Sequence, residues 1–246
     1  MNVIYGPKGR AGEYSKWALN VYNGCAHGCT YCYVPGIVKR SYADFSSKVF
    51  PRANVVNLLR KDLEAHADGL IMGEGDNTVL LCFTCDPYQL VEEELKITRQ
   101  CLELFTSFDV PVQVLTKGCK IAIRDFDLLE KNKLNKYAVT ITHTNNDFLK
   151  KMEPNASTFD ERVQSLELAK EKGITTWVSL EPVVNFEETY KIIDETYFVV
   201  DQFKVGKLNH DPYEKQLDWK EFKESVIERL EKYNVNYYIK KDLLKY

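Results

Sequence analysis

The feature that most constrains the fold is a rhythm: a short apolar run, then a longer amphipathic stretch, repeated along the chain. The runs "KWALNVY" (16–22), "NTVLLCFT" (77–84), "VPVQVLTK" (110–117), "KYAVTITH" (136–143), "ITTWVSLEPVV" (174–184) and "YFVVDQFKVGKL" (197–208) have the length and composition of strands. "NVVNLLRKDLEAHA" (54–67), "VEEELKITRQCLELF" (91–105), "IAIRDFDLLEKN" (121–132) and "TFDERVQSLELAKEKG" (158–173) are the intervening helices. In the last of these, Glu161 and Arg162 sit near the start and Gly173 supplies the stop. A helix "WKEFKESVIERLEKY" (219–233) and a strand-like "VNYYI" (235–239) follow.

Strands that alternate with helices pair in parallel through right-handed crossovers. Six such units predict an α/β fold, a partial (β/α)6 barrel. It forms one domain over 1–246, with its core at about 16–207 and a short helix–strand extension at about 208–246. The alternative is an open, doubly wound sheet. In both, chemistry gathers at the C-terminal ends of the strands. Those ends carry a cysteine loop, then "TCDPYQ" (84–89), "TKG" (116–118), "TH" (142–143), "SLEP" (179–182) and "VGK" (205–207). A purely structural barrel does not need polar groups or glycine after every strand, so this rim is the predicted active site.

No apolar run is long enough to cross a bilayer, and "MNVIYGPKGRAGEYSKWA" lacks the apolar core of a secretory signal, which predicts a cytoplasmic protein without membrane contact. The formal net charge of −3 lends no support to a dedicated nucleic-acid binder, but leaves room for a local basic groove. The basic, aromatic C-terminus "YYIKKDLLKY" reads as an edge strand with a solvated tail.

The seven cysteines, an odd number without an export signal, argue against a disulfide framework. Three of them, Cys25, Cys29 and Cys32, crowd into "NGCAHGCTYCY" with spacing CxxxCxxC. Clustered thiolates select zinc, copper(I) or iron–sulfur clusters. A structural zinc site wants four protein ligands, and His27, lying between two of the cysteines, is badly placed to fold back as the fourth. Three ligands leave one coordination position open, as a catalytic metal site does. Gly24 and Gly28 let the loop turn tightly around a bulky group.

The CxxxCxxC spacing, with an aromatic before the last cysteine and directly after a first strand, resembles the signature of radical S-adenosylmethionine (SAM) enzymes. "NGCAHGCTYCYVP", "CFTCDPYQ", "VLTKG", "KMEPNAS" and "GITTWVSLEPV" together resemble the spore photoproduct lyase-like branch, over residues from about 16 to about 207. The resemblance implies that Cys25, Cys29 and Cys32 hold a [4Fe–4S] cluster and that SAM chelates its fourth iron. Reductive cleavage of SAM then yields a radical that abstracts hydrogen from a substrate. It also implies an electron donor such as flavodoxin or ferredoxin.

Further roles follow from the resemblance position by position. Tyr31 is expected near the adenine, and Tyr33 either takes part in radical transfer or packs against the loop. The Gly-Gly-Glu motif common in the superfamily is missing; "TCDPYQ" stands there, so Thr84 and Asp86 are expected at the SAM amino group. For Asp86 the competing reading is a helix N-cap ahead of Pro87. Lys117 is expected at the SAM carboxylate and Thr142 at the ribose, with Thr140 as the alternative on the same strand face. Ser179 and Glu181 are expected at ribose hydroxyls or substrate, against a plain turn at Glu181-Pro182.

One departure bears on the reaction. The lyase has a hydrogen-donating cysteine just before its "TSD", and here that residue is Phe83. Cys85, two residues on, would share its strand face, with Cys82 pointing the other way; either Cys85 replaces the thiol or the chemistry differs. Cys101 is expected in the core, Cys119 on a surface loop, and neither His143 nor His210 in the site. Three functions remain open: radical repair or modification of nucleic acid, radical chemistry on a small molecule or peptide, and a zinc-stabilised interaction module.

Overall fold

The computed structural model describes residues 1–71, 77–209 and 211–246; His210 lies outside them. Among the described residues nine strands form: β1 (Trp17–Leu19), β2 (Tyr22–Asn23), β3 (Phe50–Pro51), β4 (Val79–Leu81), β5 (Val112–Thr116), β6 (Lys136–Thr140), β7 (Thr175–Val183), β8 (Gln202–Lys207) and β9 (Asn236–Ile239). Seven make one parallel sheet in the order β1-β4-β5-β6-β7-β8-β9. The order follows the chain without a reversal. A doubly wound sheet needs a reversal, so this is the partial barrel, wound in one direction.

The final helix, Trp219–Lys232, and β9 do not stand apart from that sheet: β9 pairs with β8 as its seventh strand. β9 is the expected edge strand, and the expectation of a solvated tail beyond it is corrected only in part, since Lys241 and residues 244–246 are exposed. Lys240 and Leu243, beyond the end of β9, are buried because Lys240 reaches Glu181 and Leu243 joins the main core. The run 16–22 also splits. Its first half is β1, and Tyr22–Asn23 pairs instead with β3, antiparallel, at the entrance to the cysteine loop.

Strand alternation sorts the side chains into two faces. Val79, Val114, Tyr137, Val178, Phe203 and Ile239 face the helices and build the main core with residues such as Leu59, Leu102, Leu166 and Phe222. Leu80, Ala138 and Trp177 point inward and pack with Tyr14, Phe83 and Leu115 in a second cluster. Gln113 and Lys204 also face inward; both donate to the Tyr14 carbonyl, at 3.2 and 3.3 Å.

The predicted helix 91–105 is two helices, Val91–Leu95 and Ile97–Ser107, broken at Lys96, whose φ is +50°. The buried Glu92 carboxylate drives the break. It accepts the Thr98 amide at 2.9 Å, the Arg124 guanidinium at 2.7 Å and the Tyr22 hydroxyl, bonds a straight helix would not offer. Helix Phe159–Glu171 starts with a reciprocal capping box between Thr158 and Glu161.

Candidate active site

The cysteine loop leaves β2 and lies across the C-terminal ends of the strands. Gly24 has φ +85°, and a Cβ there would sit 2.7 Å from the carbonyl oxygens of Phe45 and Lys48. No other residue fits that turn.

Two other segments clamp the loop. From the segment after β4, the buried Gln89 accepts the Ala26 amide at 2.7 Å and donates to the Gly24 carbonyl at 3.3 Å. From the "KMEPNAS" segment, Asn155 Nδ2 donates to the Ala26 carbonyl at 2.8 Å, and the Met152 carbonyl accepts the Thr30 amide at 2.9 Å. His27 is buried, with Nδ1 2.9 Å from the Asn155 carbonyl and Nε2 3.1 Å from Asp86 Oδ2, so its ring belongs to the clamp.

Asp86 sits at the centre of the next strand end. Its carboxylate accepts the Thr116 hydroxyl at 2.6 Å, the Lys117 amide at 2.7 Å and the Tyr88 amide at 2.8 Å. The Tyr88 bond is a local turn and not the helix cap of the competing reading, since that helix starts only at Val91. Burial by itself would raise the carboxyl; the adjacent His27 ring and these donors overcome it and hold it at about 2. Both oxygens are thus engaged within the chain. Gly118 completes this corner, because a Cβ there would lie 1.9 Å from the Tyr88 carbonyl oxygen.

Glu153 was not among the expected site residues. It is buried against Arg162 at 2.5 Å, and accepts the Tyr31 hydroxyl and, at 3.0 Å, the Thr142 hydroxyl. Burial opposes its charge, but Arg162 and then Lys117 hold it at about 2. Lys117 Nζ lies 5.8 Å from the centre of the Tyr31 ring. Tyr31, Lys117 and Thr142 therefore meet around Glu153. Thr140 is engaged differently: its carbonyl accepts Arg162 Nη1 at 2.7 Å. The signal for Glu153 was an acid before proline in a motif already singled out, and for Arg162 a cation on the apolar side of a helix.

Ser179 and Glu181 share the inner face of β7, which runs on to Val183. The Tyr14 hydroxyl lies 3.1 Å from Ser179 Oγ and donates to Glu181 Oε2 at 2.5 Å. Lys240 Nζ, from the end of β9, donates to the same oxygen at 2.7 Å. Burial and then the Glu181 charge push the Tyr14 phenol well up. Tyr33 stands at the mouth about half exposed; partial desolvation by the protein around it and then the nearby Glu181 push its phenol up to about 12.

Thr84 is half-buried, its amide donating to Asn20 Oδ1 at 2.8 Å. The expected placing of Cys85 is corrected. β4 ends at Leu81, so the alternation that would align Cys85 with Phe83 stops. Phe83 packs inward beside Tyr14, whereas Cys85 packs with Cys82 against the main core. Cys119 is likewise corrected from surface to core, buried in helix Cys119–Ala122, while Cys101 is buried as expected. His143 stacks on Phe148 and lies 3.0 Å from Glu188.

The donor set fits an iron–sulfur cluster. Cys25, Cys29 and Cys32 are free, half-buried thiols on one short loop. Burial pushes all three up, Cys29 to about 12, with Asp86 adding to the effect at Cys25. Among the described residues no three His, Cys, Asp or Glu side chains converge as the ligands of a single ion do. A cluster needs no such convergence, because each thiolate takes its own iron.

Residues 19–200 match the family model described as the radical SAM superfamily. The chain belongs to the radical SAM superfamily. Its members use a [4Fe–4S] cluster and SAM, in agreement with the cofactors expected from the loop. The fold agrees as well. Spore photoproduct lyase complexed with dinucleoside spore photoproduct superposes with a TM-score of 0.71 at 14% identity, over 97% of this chain and 78% of that one. Streptococcus suis SuiB bound to S-adenosylmethionine gives 0.66 at 13% identity, over 91% and 50%. In sequence, the chain is 26% identical to an uncharacterised protein of Methanocaldococcus jannaschii over 74% of its length and 66% of the relative's. It is 27% identical to an uncharacterised protein of Mycobacterium tuberculosis over 46% of its length and 33% of the relative's. This radical SAM chain thus spans between a third and two thirds of those relatives. Among its described residues no helix is long and apolar enough to cross a membrane.

Proposed function

We propose that this radical SAM enzyme abstracts hydrogen from a nucleic-acid substrate, in repair or modification. The observation that carries the radical chemistry is the loop of three thiols, clamped at the strand ends by Gln89, Asn155 and the His27–Asp86 contact. When bound there through Cys25, Cys29 and Cys32, the cluster and SAM supply the electron and the 5′-deoxyadenosyl radical.

The chain's own residues bind and orient. Lys117 offers the SAM carboxylate a cation held in place through Asp86 and Glu153. Tyr31 presents its ring to the adenine, and Thr142 its hydroxyl to the ribose. Thr84 stands at the amino group. Asp86, with both oxygens engaged, acts by fixing the rim on which Lys117 sits. Ser179, Glu181, Tyr14 and Lys240 form the polar wall toward the substrate, with Tyr33 at its mouth and Cys85 behind the cysteine loop.

Nucleic acid as substrate is supported by the fold shared with a lyase that has a dinucleoside bound. A second reading, action on a small molecule or peptide, is favoured by the net charge of −3 and by Phe83 at the position of the lyase's thiol.

The test is anaerobic reconstitution with iron and sulfide, followed by EPR of the reduced protein with and without SAM. The expected result is a [4Fe–4S] signal that changes on adding SAM; uptake of zinc, or a signal indifferent to SAM, sinks the radical reading. Titration of DNA and RNA oligonucleotides against salt then separates the substrates. Phosphate contacts give a steep loss of affinity with salt, and no binding at low salt leaves the second reading.

A further inference from the structure

The stretch from Tyr33 to Arg52 lies against the cysteine loop. The Cys25 amide donates to the Phe45 carbonyl at 3.1 Å, and the Tyr42 hydroxyl donates to the Gly28 carbonyl. This stretch is unlike the rest of the surface in two ways.

It is apolar. Of the thirteen exposed large apolar side chains among the described residues, five fall in these twenty positions: Tyr33, Ile37, Val38, Tyr42 and Phe50. Ile37, at 64%, is the most exposed of all thirteen. Apolar groups gathered in this way mark an interaction surface.

It is also basic. Lys39, Arg40, Lys48 and Arg52 stand against a single acid, Asp44, in a chain whose net charge is −3. Asp44 is already paired with Lys48 at 2.5 Å. An apolar patch with a cationic rim fits an acidic protein partner. Ile37 and Val38, an aliphatic tip that gives bases nothing to stack on, together with the exposed rings of Tyr33, Tyr42 and Phe50, have the composition of a protein interface.

We propose that the Tyr33–Arg52 surface docks a small acidic one-electron carrier, a flavin or iron–sulfur protein, that delivers the electron the reaction consumes. The inference rests on the cluster reading above. The carrier is oxidised by one electron, the enzyme is reduced by one, and no atom moves. Placing the carrier here brings it against the backbone that holds Cys25, and electron transfer falls steeply with distance. Interfaces of this kind are small and charge-steered.

The test uses cluster-loaded protein, SAM, and two sources of electrons: dithionite, and a flavodoxin kept reduced by its NADPH-dependent reductase. Lys39→Glu/Lys48→Glu and, separately, Ile37→Glu/Val38→Gln are compared with the parent. Both variants are expected to keep the parent's iron content and dithionite-driven SAM cleavage. Flavodoxin-driven cleavage falls about tenfold or more, and in the charge variant loses its salt dependence. Calorimetric titration of flavodoxin into cluster-loaded protein gives a second readout, with binding weakened in both variants. Flavodoxin-driven rates equal to the parent's in both variants, or a parent that binds no flavodoxin and takes no electrons from it, overturn the proposal. So does salt-steep oligonucleotide binding lost in the charge variant while the flavodoxin rate stands, which assigns the surface to nucleic acid. A parent that cleaves no SAM even with dithionite refutes the radical reading itself, a separate failure.

Discussion

Glu153 and Arg162 face each other at 2.5 Å with neither side chain exposed, and through Glu153 the pair holds Tyr31 and Thr142. A helix that packs on the outside of the sheet thus sets the position of a tyrosine in the cysteine loop. Breaking a buried pair from one side strands a charge at a cost of about 3–5 kcal/mol. Glu153→Ala should therefore lower stability in urea by that order, while Glu153→Gln, which keeps the shape and some hydrogen bonds, should lose less. A Glu153→Ala protein as stable as the parent would show that Arg162 finds another acceptor.

The same carboxylate sets an acid limit. Glu153 is held at about 2, against an ordinary value of 4.5, and Asp86 at about 2, against 3.8. For a carboxyl depressed in the folded state, the unfolded chain binds more protons, so stability rises with pH across the window. The contribution is complete above the unfolded values and is lost as pH falls from about 4.5 to about 2. Urea midpoints across this range should fall with pH, and less steeply in Glu153→Gln.

Gly118 should tolerate no side chain. The Cβ of Gly118→Ala would meet the Tyr88 carbonyl at 1.9 Å, forcing apart the Asp86 and Lys117 strand ends. Overpacking of this kind costs about 1–3 kcal/mol. Thermal melts read the loss of stability, and SAM binding to the loaded protein should weaken with it. Unchanged melting would mean that this corner shifts freely.

Iron content separates the cysteines. Alanine at Cys25, Cys29 or Cys32 should abolish stable iron and sulfide uptake, whereas alanine at Cys85, Cys101 or Cys119 should leave it near the parent's level. Gln89→Leu keeps all three thiols but removes the clamp on Ala26 and Gly24, and should load poorly and lose iron faster to a chelator. Full, stable loading of Gln89→Leu would assign the loop's shape to the cluster alone.

The periodicity of apolar residues was enough to place every strand from β4 to β8 and to call a partial barrel, because parallel strands buried on both faces read as unbroken apolar runs. The three thiols were legible for the same local reason: their spacing is short. What stayed hidden rests on partners far apart in sequence. The break at Lys96 follows from Glu92 meeting Tyr22 and Arg124, and the inward turn of Cys119 follows from how its short helix packs. Cys85 leaves the Phe83 side because β4 stops at Leu81, a strand end that pairing and not composition decides.

By itself, then, the sequence determined the winding of the sheet, the rim formed by the strand ends and the loop of three closely spaced thiols, all consequences of local pattern. Only the tertiary structure decided which residues stand around that loop. It brought Glu153 and Arg162 beneath Tyr31, Gln89 and Asn155 onto the loop's backbone, and Lys240 from the last strand onto Glu181 and Tyr14. Buried charges and amides must find partners wherever the fold supplies them, and no spacing in the chain announces where that will be.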